Sequence, residues 1–400
     1  MTRYDIGGRV VDSSEEGLSD ALASLYSSKF RPRCMCRNPG VAMYIAKIQG
    51  KFIVKRMPET GSSHHPSCDS FEPPPELSGL GEVNGTAIRE NPEDGTTALK
   101  LHFSLTKTGG RSAPPSGDGD GGSVRTDGSK LTIRGMLHYL WEESGFNKWS
   151  PAMSGKRSWY VVRKYLLQAA ANKLAKGTGL ADLLYIPEQY HPEKSAEIAQ
   201  RRMAFMSRAA APAKGTRRLL LVIGEVKEIG PSRYGHKIVL KHLPDCHFMI
   251  NEDLHKRMLR RFEIELGLWD AVETTHLMMI GTFGVGATGV TSMEEVALMC
   301  VSENWIPFET LYEKTVIDAL SVSGRRFTKG LRYNLAAGRP LATAVLTDTA
   351  PDPTAMYVIP PGSGEEYPAA IAELVSESKF PSWIWRAGEI NMPALPDKHS

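Results

Sequence analysis

The sequence predicts a multidomain protein of mixed α+β or α/β class: a small N-terminal zinc-bound β-hairpin module, a helical middle, and a C-terminal half mixing strands and helices. Three observations carry this. Three cysteines and two histidines crowd into one window near the start, helical periodicity dominates residues 131–215, and short apolar runs separated by amphipathic stretches follow from residue 216. The boundaries read as 1–75 for the zinc module, 76–130 for a linker and irregular segment, 131–215 for a basic helical region, 216–310 for an α/β region and 311–400 for a C-terminal α/β unit. A length of 400 residues accommodates several units of ordinary size.

From the N-terminus, Ser13-x-x-Glu16 reads as a capping box opening a helix near 14–28. Met43–Ile48 and Lys51–Lys55 are β-prone runs joined at Gln49-Gly50, a hairpin, and Pro73-Pro74-Pro75 closes the unit. Residues 106–130, rich in Gly, Ser, Pro and Asp, read as a flexible linker. Ile133, Met136, Leu137, Leu140 and Trp141 line one helix face, and further helices are expected over Ser158–Lys176 and Glu193–Ala211. Strands are expected at Leu219–Ile223, Lys237–Leu243 and Leu277–Ile280, with an amphipathic helix at Glu252–Leu266. Glu294–Val301 and Pro307–Ser321 read as helices. The last unit predicts strands at Ala342–Leu346, Ala355–Ile359 and Trp383–Arg386 around a helix at Glu365–Lys379.

Composition narrows the setting. The chain is 41% hydrophobic, 8% aromatic and 23% charged, which is enough apolar content for a core and too much for wholesale disorder. No apolar run approaches the ~18 residues of a membrane span, and Met1–Asp5 lacks the basic-then-apolar start of a secretory signal. Five cysteines, an odd number, do not make a disulfide framework. A cytoplasmic protein without a membrane partner is expected.

Cys34-Met35-Cys36 and His64-His65-Pro66-Ser67-Cys68 bracket the predicted hairpin. Structural zinc takes four thiolate or imidazole ligands in a tetrahedron, and Cys34, Cys36 and Cys68 with one histidine supply a Cys₃His set. The Cys-x-Cys pair is tighter than the spacing common in zinc fingers. His64 is favoured over the alternative ligand His65, because Pro66 biases His65 toward an extended backbone that can point its side chain away. Four protein ligands leave no position for water, so this Zn²⁺ is expected to fold the module and not to catalyse.

The net charge of +3 conceals segregation. Residues 130–218 hold 16 Lys/Arg against 6 Asp/Glu, whereas 219–400 hold 17 against 23. Two basic runs, Ala21–Pro58 and Ser144–Ala181, contain no acid. One-signed stretches attract a polyanion and release its counterions, and the second run interleaves Trp149, Trp159, Tyr160 and Tyr165, which suit stacking on unpaired bases. Non-catalytic nucleic-acid binding is therefore expected through Lys47, Lys51, Lys55 and Arg56 near the zinc, and through Lys156, Arg157, Arg163 and Lys164 with Trp149 and Trp159. The competing expectation is a solvated helical face docked on the acidic half, with the aromatics in the core. Two other classes compete: a metal-dependent nuclease using Glu309, Asp348 and Asp352, and a scaffold whose zinc module docks a protein partner.

Weaker patterns have plain explanations. His242, Cys246, His247 and His255 read as a strand-turn-helix with solvated histidines. Gly284-x-Gly286-x-x-Gly289 matches a dinucleotide loop, but Ser292-x-x-Glu295 would start the following helix too late, so a simple turn is expected. No G-x-S-x-G, H-E-x-x-H or kinase signature occurs.

Several stretches together carry a family likeness: Arg33-Cys34-Met35-Cys36, Met43-Tyr44-Ile45-Ala46, Lys55-Arg56-Met57-Pro58, Thr60-Gly61-x-x-His64, Glu72-Pro73-Pro74, Leu77-Ser78-Gly79-Leu80-Gly81, Trp149-Ser150-Pro151, Gly224-Glu225-Val226-Lys227 and Leu331-Arg332-Tyr333-Asn334. With these the chain resembles the bacterial domain-of-unknown-function family 1173, most densely before residue 82. The resemblance implies no known activity. It implies a setting on plasmids and integrative elements, and so a place near mobile DNA. The C-terminal unit is similar in element order to restriction-endonuclease-like nucleases: a helix with Glu309 and Glu313, then Arg325-Arg326-Phe327, two strands, a helix and a strand ending in Trp383-Ile384-Trp385. The acids and lysine that hold magnesium in such enzymes are missing from Pro340–Thr343 and Met356–Pro360, so that likeness implies a fold without the activity.

Overall fold

A computed structural model describes residues 2–28, 30–48, 50–108, 128–209, 215–233 and 235–399. The first sheet holds β1 (Arg3–Ile6), β2 (Arg9–Asp12), β3 (Arg33–Cys34), β4 (Val41–Ile48) and β5 (Lys51–Arg56), in the antiparallel order β2-β1-β3-β4-β5. The predicted hairpin is β4–β5; Gly50 sits in its turn at φ 82°, and Gln49 lies outside the described residues. Helix α1 (Leu18–Tyr26) starts later than the capping box predicts. It opens after Gly17 at φ 83°, a conformation glycine adopts without strain, while the Ser14 hydroxyl donates to Asp12.

Residues 76–108 are folded, which corrects the expected irregular segment. Ile88–Glu90 pairs with Thr97–Leu99, which in turn pairs with Lys173–Ala175, and Val83, Leu99, Leu101 and Phe103 are buried. The Gly/Ser-rich core of the expected linker, 109–127, lies outside the described residues. Helices α2 (Ile133–Glu143), α3 (Trp159–Ala170) and α4 (Ser195–Met206) build the middle, with the short strand β6 (Lys148–Trp149) between the first two. Helix α3 stops short of Lys176 because Lys173–Ala175 joins a sheet and Gly177 (φ 78°) turns the chain back.

Residues 220–301 close a barrel. Strands β7 (Leu220–Ser232), β8 (Gly235–Leu240), β9 (Leu243–Ile250), β10 (His276–Val285) and β11 (Thr291–Val301) follow the order β7-β8-β9-β11-β10 and return to β7. Only β9–β11 is parallel, and helices α5 (Glu252–Arg261) and α6 (Glu263–Ala271) occupy the β9–β10 connection. A five-stranded Greek-key barrel so connected has OB-fold topology. Strand β7 serves two neighbours: Leu220–Glu225 pairs with β10, a bulge falls between Val226 and Glu228, and the remainder pairs with β8. Two sequence expectations meet their outcome here. Glu294–Val301 is strand, not helix, because Val296–Val301 is buried on both faces and an unbroken apolar run fits either element. The Gly284–Gly289 pattern is the β10–β11 turn, with Gly289 at φ 79° and the Gly286 N–H donating to Val290 O.

The last layer comprises α7 (Leu311–Val322), β12 (Phe327–Lys329), β13 (Ala344–Leu346), β14 (Thr354–Ile359), α8 (Glu366–Glu377) and β15 (Ser382–Arg386). Its sheet runs β15-β14-β13-β12-β6, and only β14–β15 is parallel. One hydrophobic cluster extends from Val83 to Ala387, so the regions expected at 131–215, 216–310 and 311–400 share a core.

The segment Leu331–Asn334 fastens these layers. Asn334 Oδ1 accepts from the Thr132 N–H (3.0 Å) and hydroxyl (2.8 Å) where α2 begins, and its Nδ2 donates to Lys130 O. The Tyr333 N–H donates to His138 Nδ1 (3.0 Å), and Arg332 pairs with Glu309 at 2.6 Å. Leu331 O accepts from Gly79 N–H, and a Cβ on Gly79 would sit 1.9 Å from Arg332 O. Asn334→Ala should orphan a buried amide and hydroxyl and cost about 2–6 kcal/mol, at ~1–3 kcal/mol for each unsatisfied group. The urea midpoint should fall with an unchanged slope; an unmoved midpoint contradicts this role.

Candidate metal centre and adjoining cleft

The four candidate ligands come from two short pieces of chain. Cys34 lies in β3 between Tyr4 and Val41, and Cys36 lies on the turn into β4. His64 follows the single 3₁₀ turn Gly61–Ser63, and the Cys68 N–H closes onto His65 O at 2.8 Å. Their ligand atoms converge. Cys34 Sγ is 3.6 Å from Cys68 Sγ, Cys36 Sγ is 3.3 Å from His64 Nδ1, Cys68 Sγ is 3.8 Å from that nitrogen, and all four lie within 4.8 Å of one another. Thiolates ~2.3 Å and an imidazole ~2.0 Å from one tetrahedral zinc stand roughly 3.5–3.8 Å apart, so the cluster can hold a metal ion such as zinc. His64 is fully buried, while His65 is exposed with Nδ1 on the Ser67 hydroxyl, so it is His64 that faces the sulfurs. The hydrogen bond between the closest thiols drives Cys34 far up and Cys68 down to about 4. The His65 N–H points at Cys36 Sγ (3.4 Å), an outer hydrogen bond of the kind that steadies a ligating thiolate.

The residues expected at a nucleic-acid surface divide. Lys47, Lys51, Lys156 and Lys164 are exposed, as are Tyr160 and Tyr165. Trp149 and Trp159 are buried, and Trp159 donates its indole N–H to Pro187 O and stacks on His242, so neither is free to stack on a base. Arg157 is spent on the carbonyls of Gly145, Phe146, Lys148 and Asn304. Arg163 donates to Ile186 O, Arg56 pairs with Glu72 at 2.6 Å, and Lys55 is half-buried. A guanidinium satisfies several carbonyls at once, which is why arginines within an aromatic run finish inside.

The expected nuclease set does not assemble. Asp348 is held in a buried pair with Arg325 (2.8 Å), Glu309 is bound to Arg332, and Asp352 is exposed. Among the described residues none of the three joins a group of converging metal ligands. His242, Cys246 and His247 also stay apart: His242 lies on Trp159, Cys246 is 4.0 Å from Thr291 Oγ1, and His247 Nε2 faces Pro244 O.

Over residues 4–388 the sequence matches the family described as protein of unknown function (DUF1173). The chain belongs to that family. No curated protein and no solved structure matches it. No described helix of this DUF1173 protein is long and apolar enough to cross a membrane.

Next to the metal cluster the DUF1173 chain forms a cleft of about 460 Å³, walled on one side by Arg56, Glu72 and Pro73–Pro75 and on the other by Glu90, Tyr139, Glu142, Glu143 and Tyr333. The Tyr333 hydroxyl donates to Glu142 at 2.6 Å, Glu143 pairs with Lys173, and the Tyr139 hydroxyl is buried without a partner. Burial opposes charge on Glu143, but the Lys173 ammonium carries its carboxyl down to about 2. At Glu142 burial, aided by the Glu72 charge, outweighs the Tyr333 hydrogen bond and the Lys148 charge and pushes the carboxyl up to about 7. Sequence reasoning missed this cleft because its walls come from residues 56 to 333, with Glu142-Glu143 as the one local signal.

A carboxyl raised from its ordinary value to about 7 leaves the folded chain holding a proton the unfolded chain releases near 4.5. Its contribution to stability is complete at acid pH and is lost as pH rises from about 4.5 through 7. Glu142→Gln should therefore raise the melting temperature relative to the parent at pH 8, by a few degrees at about 2–4 °C per kcal/mol, and change it less at pH 5. An equal shift at both values would show that Glu142 is not the titrating group.

Proposed function

We propose that Cys34, Cys36, His64 and Cys68 hold a structural zinc ion and that the chain so organised binds nucleic acid without acting on it. The observation that carries the metal reading is the convergence of three sulfurs and one imidazole nitrogen at tetrahedral edge distances. A closed four-ligand set supplies folding energy and no open position for chemistry. The nucleic-acid reading rests on the OB-type barrel, a fold whose central strands and neighbouring loops hold oligonucleotides in many proteins. It also draws on the exposed Lys47, Lys51, Lys156 and Lys164, with Tyr160 and Tyr165 as the accessible aromatics. Arg56, Arg157, Arg163, Trp149 and Trp159 leave that surface because the fold consumes them. The cleft favours a second reading, a pocket for a small polar ligand, on the strength of its carboxylates and the unpartnered Tyr139 hydroxyl.

Cobalt substitution tests the metal: intense thiolate-to-Co²⁺ absorption is expected and should vanish in Cys34→Ser, with loss of protease resistance in residues 1–75. Absorption that survives the substitution would remove the ligand assignment. For nucleic acid, single-strand affinity should fall steeply between about 50 and 200 mM salt, and Lys156→Glu with Lys164→Glu should weaken it further. Salt-independent binding, or none at low salt, rejects the reading.

A further inference from the structure

We propose that the cleft beside α2 binds a small organic cation, an amine or guanidine in its charged form. Glu90 and Glu142 serve as its counter-ions and the Tyr139 hydroxyl as a hydrogen-bond partner. The proposal rests on the reading of the cleft as a ligand pocket and names the class of ligand; it does not depend on the nucleic-acid reading.

The fold sets these groups on one helix face and one strand end. Tyr139 lies three residues before Glu142 and four before Glu143 in α2, so the three share a face. Glu90 ends the strand Ile88–Glu90, opposite Thr97. Lys173, on the next strand, donates to Thr97 Oγ1 at 3.1 Å and to Glu143 at 2.5 Å, which ties that strand pair to the helix. From the other side Arg56, at the end of β5, pairs with Glu72 at 2.6 Å. Pro73–Pro75, with φ fixed by their rings, make a rigid wall beside it. The enclosed volume, about 460 Å³, lies in the ~300–1,000 Å³ range of small-molecule sites.

Three observations select a cation. Glu59, Glu72, Glu76, Glu90, Glu142 and Glu143 line the cleft against the single guanidinium of Arg56. Counting the nearby Lys55, Lys148 and Lys173 with Arg56, acids still outnumber bases six to four, so an anion is repelled. Arg56 and Lys173 answer Glu72 and Glu143, while Glu90 and Glu142 enter none of the described ion pairs. Next, Glu142 and Glu143 occupy the last turn of α2, which holds no basic residue. The helix dipole puts negative charge at that end, where carboxylates are disfavoured until a cation approaches, and Lys173 answers only one of the two. Last, the Tyr139 side chain is 3% exposed, lines the cleft, and has a buried hydroxyl with no partner. Buried hydroxyls are almost always satisfied, and this one is placed to accept an N–H from the ligand. A bare metal ion fits less well: among the described residues the carboxylates of the cleft do not converge on one point as metal ligands do. Negative charge spread in this way matches the several N–H donors of an ammonium or guanidinium group, each making a charge-assisted hydrogen bond.

Titration calorimetry of the full-length chain at low salt tests this, with agmatine as the probe because it carries a guanidinium and an ammonium on one short chain. One equivalent should bind per chain. Glu90→Gln and Glu142→Gln should each weaken binding about tenfold, since a charge-assisted hydrogen bond becomes a neutral one, and Tyr139→Phe should weaken it a few-fold. Glu373→Gln, at an exposed carboxylate on α8, should leave the affinity unchanged. Each Gln variant keeps the shape of the acid, and either suffices if the other does not fold. No binding of agmatine, an affinity that neither Gln variant lowers, or equal weakening by Glu373→Gln overturns the proposal. Butylurea, an uncharged mimic, and succinate separate this failure from that of the pocket. If one of them binds and is weakened by Tyr139→Phe while agmatine does not bind, the cleft remains a ligand pocket and only the cation falls. If none of the three binds, both fall.

Discussion

Buried peptide groups with no access to water must find partners inside the protein, and nowhere is that demand sharper than at Leu331–Asn334. All four residues are buried, and Tyr333 is held at φ 49°, a conformation that a bulky side chain keeps only when its surroundings enforce it. The partners come from far away in sequence: Gly79, Thr132, Arg134, His138, Glu142 and Glu309. Each contact removes an orphan from this strip and, at the same time, fixes an element. Thr132 is the cap of α2, Glu309 precedes α7, and Gly79 belongs to the chain leaving the N-terminal module. The layers are consequently interdependent.

Much of the fold was legible where the signal is local. The β4–β5 hairpin, α2 and the strand-helix-strand run from Thr354 to Arg386 follow the predicted order because alternation or 3.6-residue periodicity decides them within a few residues. The barrel was not legible, because its closure depends on β7 meeting β10 and β9 meeting β11 across more than 40 residues, and no periodicity encodes a partner. The misread strand β11 shows the same limit. Ser292-x-x-Glu295 imitates a helix cap, and only pairing along the whole of β10 rules the helix out. Folding of residues 76–108 was obscured by the Gly-rich tract that follows them.

The candidate sites divide along the same line. The cysteine centre could be read because its ligands occupy one short window and soft ligands have few other reasons to cluster. Charge and aromatic content misled for Arg157, Trp149 and Trp159, since composition cannot tell a guanidinium facing phosphate from one facing backbone carbonyls.

The metal centre and the cleft are mechanically one unit. Cys68 is four residues from Glu72, the Phe71 N–H donates to Cys68 O, and the Glu72 N–H returns to Gly61 O ahead of His64. Lys148 of β6 holds the carbonyls of Asp69 and Phe71, so the loop carrying the last ligand is bolted to the core. Arg56, Glu72 and the three prolines thus belong to the module that the cysteine cluster closes, whereas Tyr139, Glu142, Glu143 and Tyr333 belong to α2 and the buried strip. A module of this size, with Leu22, Met43, Tyr44 and Ile45 as its main buried apolar residues, has too little core to hold itself against chain entropy without a staple. Pulling the cysteine cluster apart would free one wall of the cleft and leave the other in place, so the shape of the cleft depends on that cluster holding together.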